Sequence, residues 1–209
     1  MTLPKLINSA LAFSVISGIM NILGIKLANT VTTNVTGLFS SSIQSWGNSY
    51  VFPIALASYI FLYLLGAVWG SWWYSSFHVR PVLWKKLVSP ITNLSILLYG
   101  VLSQNPPVAL LMFAMSNHNA FASNFTNYKI KPSQLTGLVM DMGVDIAKFN
   151  FENLPQQRCI KQNFIVRILI IIGFCIGGIL AIYYTNWQLI WVAVAFYIAL
   201  IGAIILGKF

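Results

Sequence analysis

The chain has 209 residues, 58% hydrophobic and only 7% charged, with a mean hydropathy of +0.78. Soluble domains carry about 25% charged residues, so this composition excludes an ordinary water-facing domain and fits several bilayer crossings of about 20 residues each. The net charge of +9 comes from twelve Lys and Arg against Asp141, Asp145 and Glu152; the bases lie between apolar stretches, where they set membrane topology, which argues against a nucleic-acid partner.

In chain order, Lys5 precedes a first apolar run that has no convincing small-residue cleavage site, so it reads as a retained helix and not a signal peptide. Ser9 to Asn48 is apolar, broken around Lys26 to Thr33, then apolar again. A span follows at Pro53 to Tyr74 and another at Pro90 to Leu102, separated by the basic stretch Phe77 to Lys86 with His78, Arg80, Lys85 and Lys86. Val108 to Lys148 repeats the irregular pattern, with its break around Asn127 to Pro132. After a second basic stretch (Lys148, Arg158, Lys161, Arg167), Ile168 to Tyr184 and Ile190 to Leu206 form a tight hairpin across Thr185 to Gln188. Gly173, Gly177 and Gly178 form a small-residue packing face, and Trp72, Trp73, Trp84 and Trp187 read as interfacial anchors. Cys159 and Cys175 read as unpaired thiols without metal-ligand spacing.

The links near Asn48, Ser103 to Pro107 and Thr185 to Gln188 carry no charge. The positive-inside rule therefore puts both basic stretches and both termini in the cytoplasm. Each irregular stretch then counts as one net crossing, as a broken helix or with one re-entrant piece. The expected fold is an all-α integral membrane protein with six net crossings in two inverted three-helix repeats, residues 1–103 and 104–209, each with a broken or re-entrant first element. The expected location is a bacterial inner membrane.

The two irregular stretches also match in sequence. Thr36-Gly37-Leu38 recurs as Thr136-Gly137-Leu138. On that alignment Asn34 faces Gln134, Ser41 faces Asp141, Ser45 faces Asp145 and Asn48 faces Lys148, a polar stripe at helical spacing. Upstream, Ser17 to Asn21 lies opposite Met115 to Asn119 if two residues are inserted later. Paired interrupted helices at corresponding positions are the sequence pointer to a transporter site, because free backbone groups at membrane depth are tolerated only in protein or around a cavity.

On these residues, Gly18 to Asn21 with Thr36-Gly37 and Asn117 to Asn119 with Thr136-Gly137 and Asp141, the chain resembles the YoaK-like family of small bacterial membrane proteins, a domain of unknown function. The resemblance covers nearly the whole chain. It implies a fold more than an activity. Asn21 stands where an acid is common in that family and His118 precedes Asn119 where Gln is common, so a proton-coupling step that used the acid would be missing here.

The candidate solute-binding residues are Asn21, Thr36, Gly37, His118, Asn119, Thr136, Gly137 and Asp141. Each has a plainer role. Asn21 and Asn119 could make interhelical hydrogen bonds. His118 reads more simply as a neutral imidazole bonded to a nearby carbonyl or Asn than as a proton carrier. Asp141 could take a cation or proton, whereas Asp145, one turn on, could simply pair with Lys148 near the interface. No H-E-x-x-H, G-x-S-x-G or P-loop pattern occurs, so neither an enzyme nor a cofactor is expected. The reading is a small secondary transporter or exporter of a small polar solute, with the lipid bilayer and that solute as its partners. The alternative is a non-transporting membrane interaction or assembly protein, and lipid handling is a weaker third.

Overall fold

The computed structural model describes residues 2–28, 31–32, 34–45, 51–75, 83–103 and 107–208. These form eight α-helices, α1 (Leu3–Ala28), α2 (Val35–Ser45), α3 (Val51–Ser75), α4 (Leu83–Ser103), α5 (Val108–Phe125), α6 (Leu135–Lys148), α7 (Leu154–Ile182) and α8 (Asn186–Ile205), with a 3-10 turn at Phe149–Phe151 and no strand among the described residues. Of these, α1, α4, α7 and α8 are long and apolar enough to cross a bilayer. Their outer faces leave large apolar side chains exposed, among them Ile91, Leu102, Ile176, Ile179 and Ile198. A contiguous coat of this kind would aggregate in water; it suits contact with lipid tails. The chain is a helical membrane protein. The expected connections near Asn48, at 104–106 and at 76–82 with His78 and Arg80 lie outside the described residues.

Both irregular stretches are two helices each. α1 ends at Ala28 and α2 begins at Val35, while α5 ends at Phe125 and α6 begins at Leu135. The second break is built by the chain itself. Asn127 and Tyr128 adopt left-handed backbone, φ +52° and +61°, which turns the chain after α5. Thr126 Oγ1 then accepts from the Ile130 amide at 3.1 Å, and Ser123 Oγ donates to the Ile130 carbonyl at 3.0 Å. Ile130 is thereby pinned with no exposed surface, packed with Leu6, Ala10, Val166 and Ile170.

Two helices begin earlier than the hydropathy suggests. α4 starts at Leu83, so Lys85 and Lys86 are helical and Pro90 sits inside the helix. α7 starts at Leu154, with Asn153 Oδ1 accepting from the Gln156 amide at 3.1 Å and proline in the first turn. Most of the second basic stretch is therefore helix. At 29 residues, α7 is about 44 Å long at 1.5 Å per residue, longer than the hydrocarbon core of about 30 Å, so its basic first turns reach into the polar interface. The α7–α8 hairpin closes with a capping box: Thr185 Oγ1 accepts from the Gln188 amide and Gln188 Oε1 from the Thr185 amide.

The packing is dominated by two pairs, α1 along α7 and α3 along α5, with α4 against α8. Glycines make both close pairs. Gly173 lies on Leu11 and Ser14, and Gly177 on Val15; in the other pair Gly66 lies on Phe113, and Gly70 on Asn117 and Ala120. A Cβ at Gly66 or Gly177 would overlap the facing backbone. In a bilayer such contact replaces the hydrophobic effect, because lipid tails are as apolar as the side chains. α1 is also tied at both ends. Lys5 Nζ donates to the Gly207 carbonyl just past α8 at 3.0 Å, and Lys26 Nζ donates to the carbonyls of Ala181, Ile182 and Tyr184 at the end of α7. Cations there complement the negative helix ends.

Candidate functional site

Both Thr-Gly pairs fall in the first turn of a short helix, and both helix starts open on one cavity of about 560 Å³. Its wall includes Asn21 from α1, Asn34 and Thr36 at the start of α2, Tyr63 from α3, and Gln134, Thr136 and Gly137 at the start of α6. Among the described residues, no Asp, Glu, Lys, Arg or His lines it. Its polarity comes from amide, hydroxyl and backbone groups, and two helix starts favour the negative end of a guest.

The two starts are finished differently. Asn34 Oδ1 accepts from the Gly37 amide at 2.8 Å, capping α2. A Cβ on Gly37 would stand 2.6 Å from Asn34 Nδ2, so glycine lets this cap close. At α6 the equivalent Gln134 makes no side-chain cap, and a Cβ on Gly137 would meet nothing within 4 Å. The α6 start is the more open of the two.

Of the other candidates, Asn119 stands behind the wall, donating to the Tyr63 hydroxyl at 3.1 Å. It orients a lining residue and does not itself line the cavity. Tyr63 was not among the residues the sequence singled out. The available signal was a hydroxyl within the apolar run Pro53 to Tyr74, which needs a partner at membrane depth.

His118 lies elsewhere, 1% exposed, in a chain of hydrogen bonds that joins α1, α4, α5 and α8. Asn117 Nδ2 donates to Asn93 Oδ1 at 2.7 Å and to the Ser89 carbonyl at 3.1 Å. Asn93 Nδ2 donates to the Ala114 carbonyl at 3.0 Å and to the Tyr197 hydroxyl at 2.9 Å. Having accepted there, Tyr197 gives its own proton to His118 Nδ1 at 3.1 Å. The imidazole proton is then on Nε2, which donates to the Phe13 carbonyl at 3.0 Å. The bond pattern thus assigns a neutral imidazole of one tautomer, which is the plainer role for His118. Phe13 packs edge-on against the same ring.

Asp141 also lies off the cavity. Arg167 on α7 reaches across to α6, with Nη2 donating to Asp141 Oδ2 at 3.3 Å and Nη1 donating to Asp145 Oδ2. Asp145 therefore pairs with the neighbouring helix, where Lys148 on its own helix was the expected partner. A guanidinium presents several donors in one plane and holds two carboxylates together better than an ammonium. No group of three or more His, Cys, Asp or Glu suited to a metal occurs among the described residues.

These features define a polytopic helical membrane protein with one polar cavity between two short helices. The chain belongs to the family described as "Protein of unknown function (DUF1275)", whose family model matches residues 9–206. No curated protein and no solved structure matches it significantly.

Proposed function

We propose that this protein is a small secondary transporter or exporter of a small polar solute, with its site in the cavity between the starts of α2 and α6. The observation that carries the reading is the convergence of the two Thr-Gly helix starts on one space that no charged side chain lines among the described residues. Irregular backbone at membrane depth is stable only where it is buried in protein or lines such a space, and discontinuous helices around a central site are a common transporter design. The helix starts favour a carboxylate or carbonyl oxygen, and Asn21 and Tyr63 add side-chain hydrogen-bonding groups.

The reading includes six net crossings, two inverted halves, cytoplasmic termini and, with the YoaK-like resemblance, a bacterial inner membrane. The exchange of partners supports the two halves. α1 lies on α7 as α5 lies on α3, and α2 packs on α3 as α6 packs on α7. The glycine contacts suggest the register. Gly173 on Leu11 corresponds to Gly66 on Phe113, and Gly177 on Val15 to Gly70 on Asn117. In this register Asn21 corresponds to Ser123 and Asn119 to Ser17, a shift from the pairing that the sequence alone proposed. Single cysteines at positions 161 and 186 should label from opposite faces of the membrane; labelling from one face contradicts this topology.

The site is tested by Thr36→Val and Thr136→Val, nearly isosteric changes that remove a hydroxyl. Each should leave the protein folded and lower solute uptake, or the solute-induced rise in melting temperature, by about tenfold in apparent affinity, the cost of one lost hydrogen bond. Unchanged transport and binding in both folded variants contradicts the site. The assembly-protein alternative draws its support from the buried hydrogen-bond chain at His118, which joins four helices and lies away from the cavity.

A further inference from the structure

A second pocket, of about 280 Å³, opens at the α5–α6 break and is separate from the cavity. Lys129, Lys131 and Arg167 line it together with Asp141, over apolar Leu138 and Val166. The lysines are placed there by the chain path. Residues 129–131 have neither helical nor turn structure, and in extended chain alternate residues share a side. Ile130 points into the core and is held there by Thr126 and Ser123. Pinning Ile130 puts its two neighbours on the opposite side, at the mouth of the pocket, where both are exposed.

Arg167 is already engaged by Asp141 and Asp145. Neither lysine has an ion pair among the described residues. Two unpaired ammonium groups, one guanidinium edge and a small apolar floor suit a tetrahedral oxyanion attached to an apolar body. We propose that this pocket binds a phosphate group, and the apolar floor favours one borne by an anionic lipid headgroup. Basic pockets between membrane helices on the cytoplasmic side bind such headgroups. This pocket shares Leu6 of α1 with the end of the bundle that the positive-inside rule puts in the cytoplasm. The inference does not depend on transport.

The test is thermal unfolding of the purified full chain in neutral detergent with phosphatidylglycerol, phosphatidylcholine or sodium phosphate added. Phosphatidylglycerol should raise the melting temperature more than phosphatidylcholine does. Lys129→Gln and Lys131→Gln should each weaken its apparent affinity by about fivefold, the usual loss per basic residue near an anionic surface. The pair Lys129→Arg with Lys131→Arg should keep the rise, as should Lys161→Gln, which removes a charge outside the pocket. An equal rise with sodium phosphate, lost in the Gln variants, supports the same site with free phosphate as its ligand. The proposal is overturned if none of the three probes raises the melting temperature, if the rise survives both Gln substitutions, or if Lys161→Gln abolishes it equally. Should a Gln variant not fold, the Arg pair decides, because loss of the rise there overturns the proposal.

Discussion

The cavity at the Thr-Gly helix starts and the hydrogen-bonded chain at His118 are both polar features of one helical bundle, the first lined by exposed residues such as Thr36 and Thr136 and the second buried, and they solve opposite problems. In the chain, Asn117, Asn93, Tyr197 and His118 hand each proton to the next acceptor and end on the Phe13 carbonyl, and all four are almost fully buried. In the cavity, Thr36, Gln134, Thr136 and Gly137 face open space, and the α6 start has no side-chain cap. Polar groups that satisfy one another stiffen a fold, while those left facing a space can take a guest. The buried His118 therefore marks a lock, and the uncharged threonines mark the proposed site.

Breaking the lock should have the largest effect. Asn93→Leu removes two donated bonds and one accepted bond and leaves Asn117 and Tyr197 short of partners. We expect a loss of about 2–4 kcal/mol, since buried polar groups left unpaired cost about 1–3 kcal/mol each. Measured by unfolding in detergent, a loss well under 1 kcal/mol would mean that the chain is not a lock. His118→Gln should cost less, because an amide can still donate to the Phe13 carbonyl; we expect about 1–2 kcal/mol.

The two glycines sharpen the contrast between the helix starts themselves. Gly37→Ala should destabilise by about 1 kcal/mol, because its Cβ displaces the Asn34 cap. Gly137→Ala meets open space and should be neutral or stabilising by up to about 1 kcal/mol, the helix-propensity difference, while narrowing the cavity mouth. Equal effects from the two would remove the asymmetry between the helix starts.

Much of the fold was legible in the sequence because the bilayer imposes strong rules. An apolar stretch interrupted by polar residues has few solutions in lipid, so both Thr-Gly helices could be placed before any coordinates. The α7–α8 hairpin was legible from Thr185 to Gln188 for the same reason. Helix starts were less so, because hydropathy reports where lipid is and not where the helix begins; Arg158 and Lys161 mark the edge of the apolar stretch, while α7 itself already begins at Leu154. The candidate site was half legible. Asn21, Thr36, Thr136 and Gly137 line one cavity, but Gly37, His118, Asn119 and Asp141 are not part of its lining. Sequence adjacency put His118 beside Asn119, whereas the helix turns their side chains by about 100° at 3.6 residues per turn, one towards Tyr197 and the other towards Tyr63. The Arg167 partnership with Asp141 and Asp145 joins two helices whose side chains no local spacing brings together.

The central claim is that the space between the two Thr-Gly helix starts admits water and solute while the His118 chain does not. It is tested most directly by single-cysteine labelling with a small hydrophilic thiol reagent, in a background of Cys159→Ser and Cys175→Ser. Thr36→Cys and Thr136→Cys should label readily in native membranes, and Asn117→Cys should label only after unfolding. Protection of both threonine positions in the folded protein, or labelling of position 117 at their rate, would contradict the account.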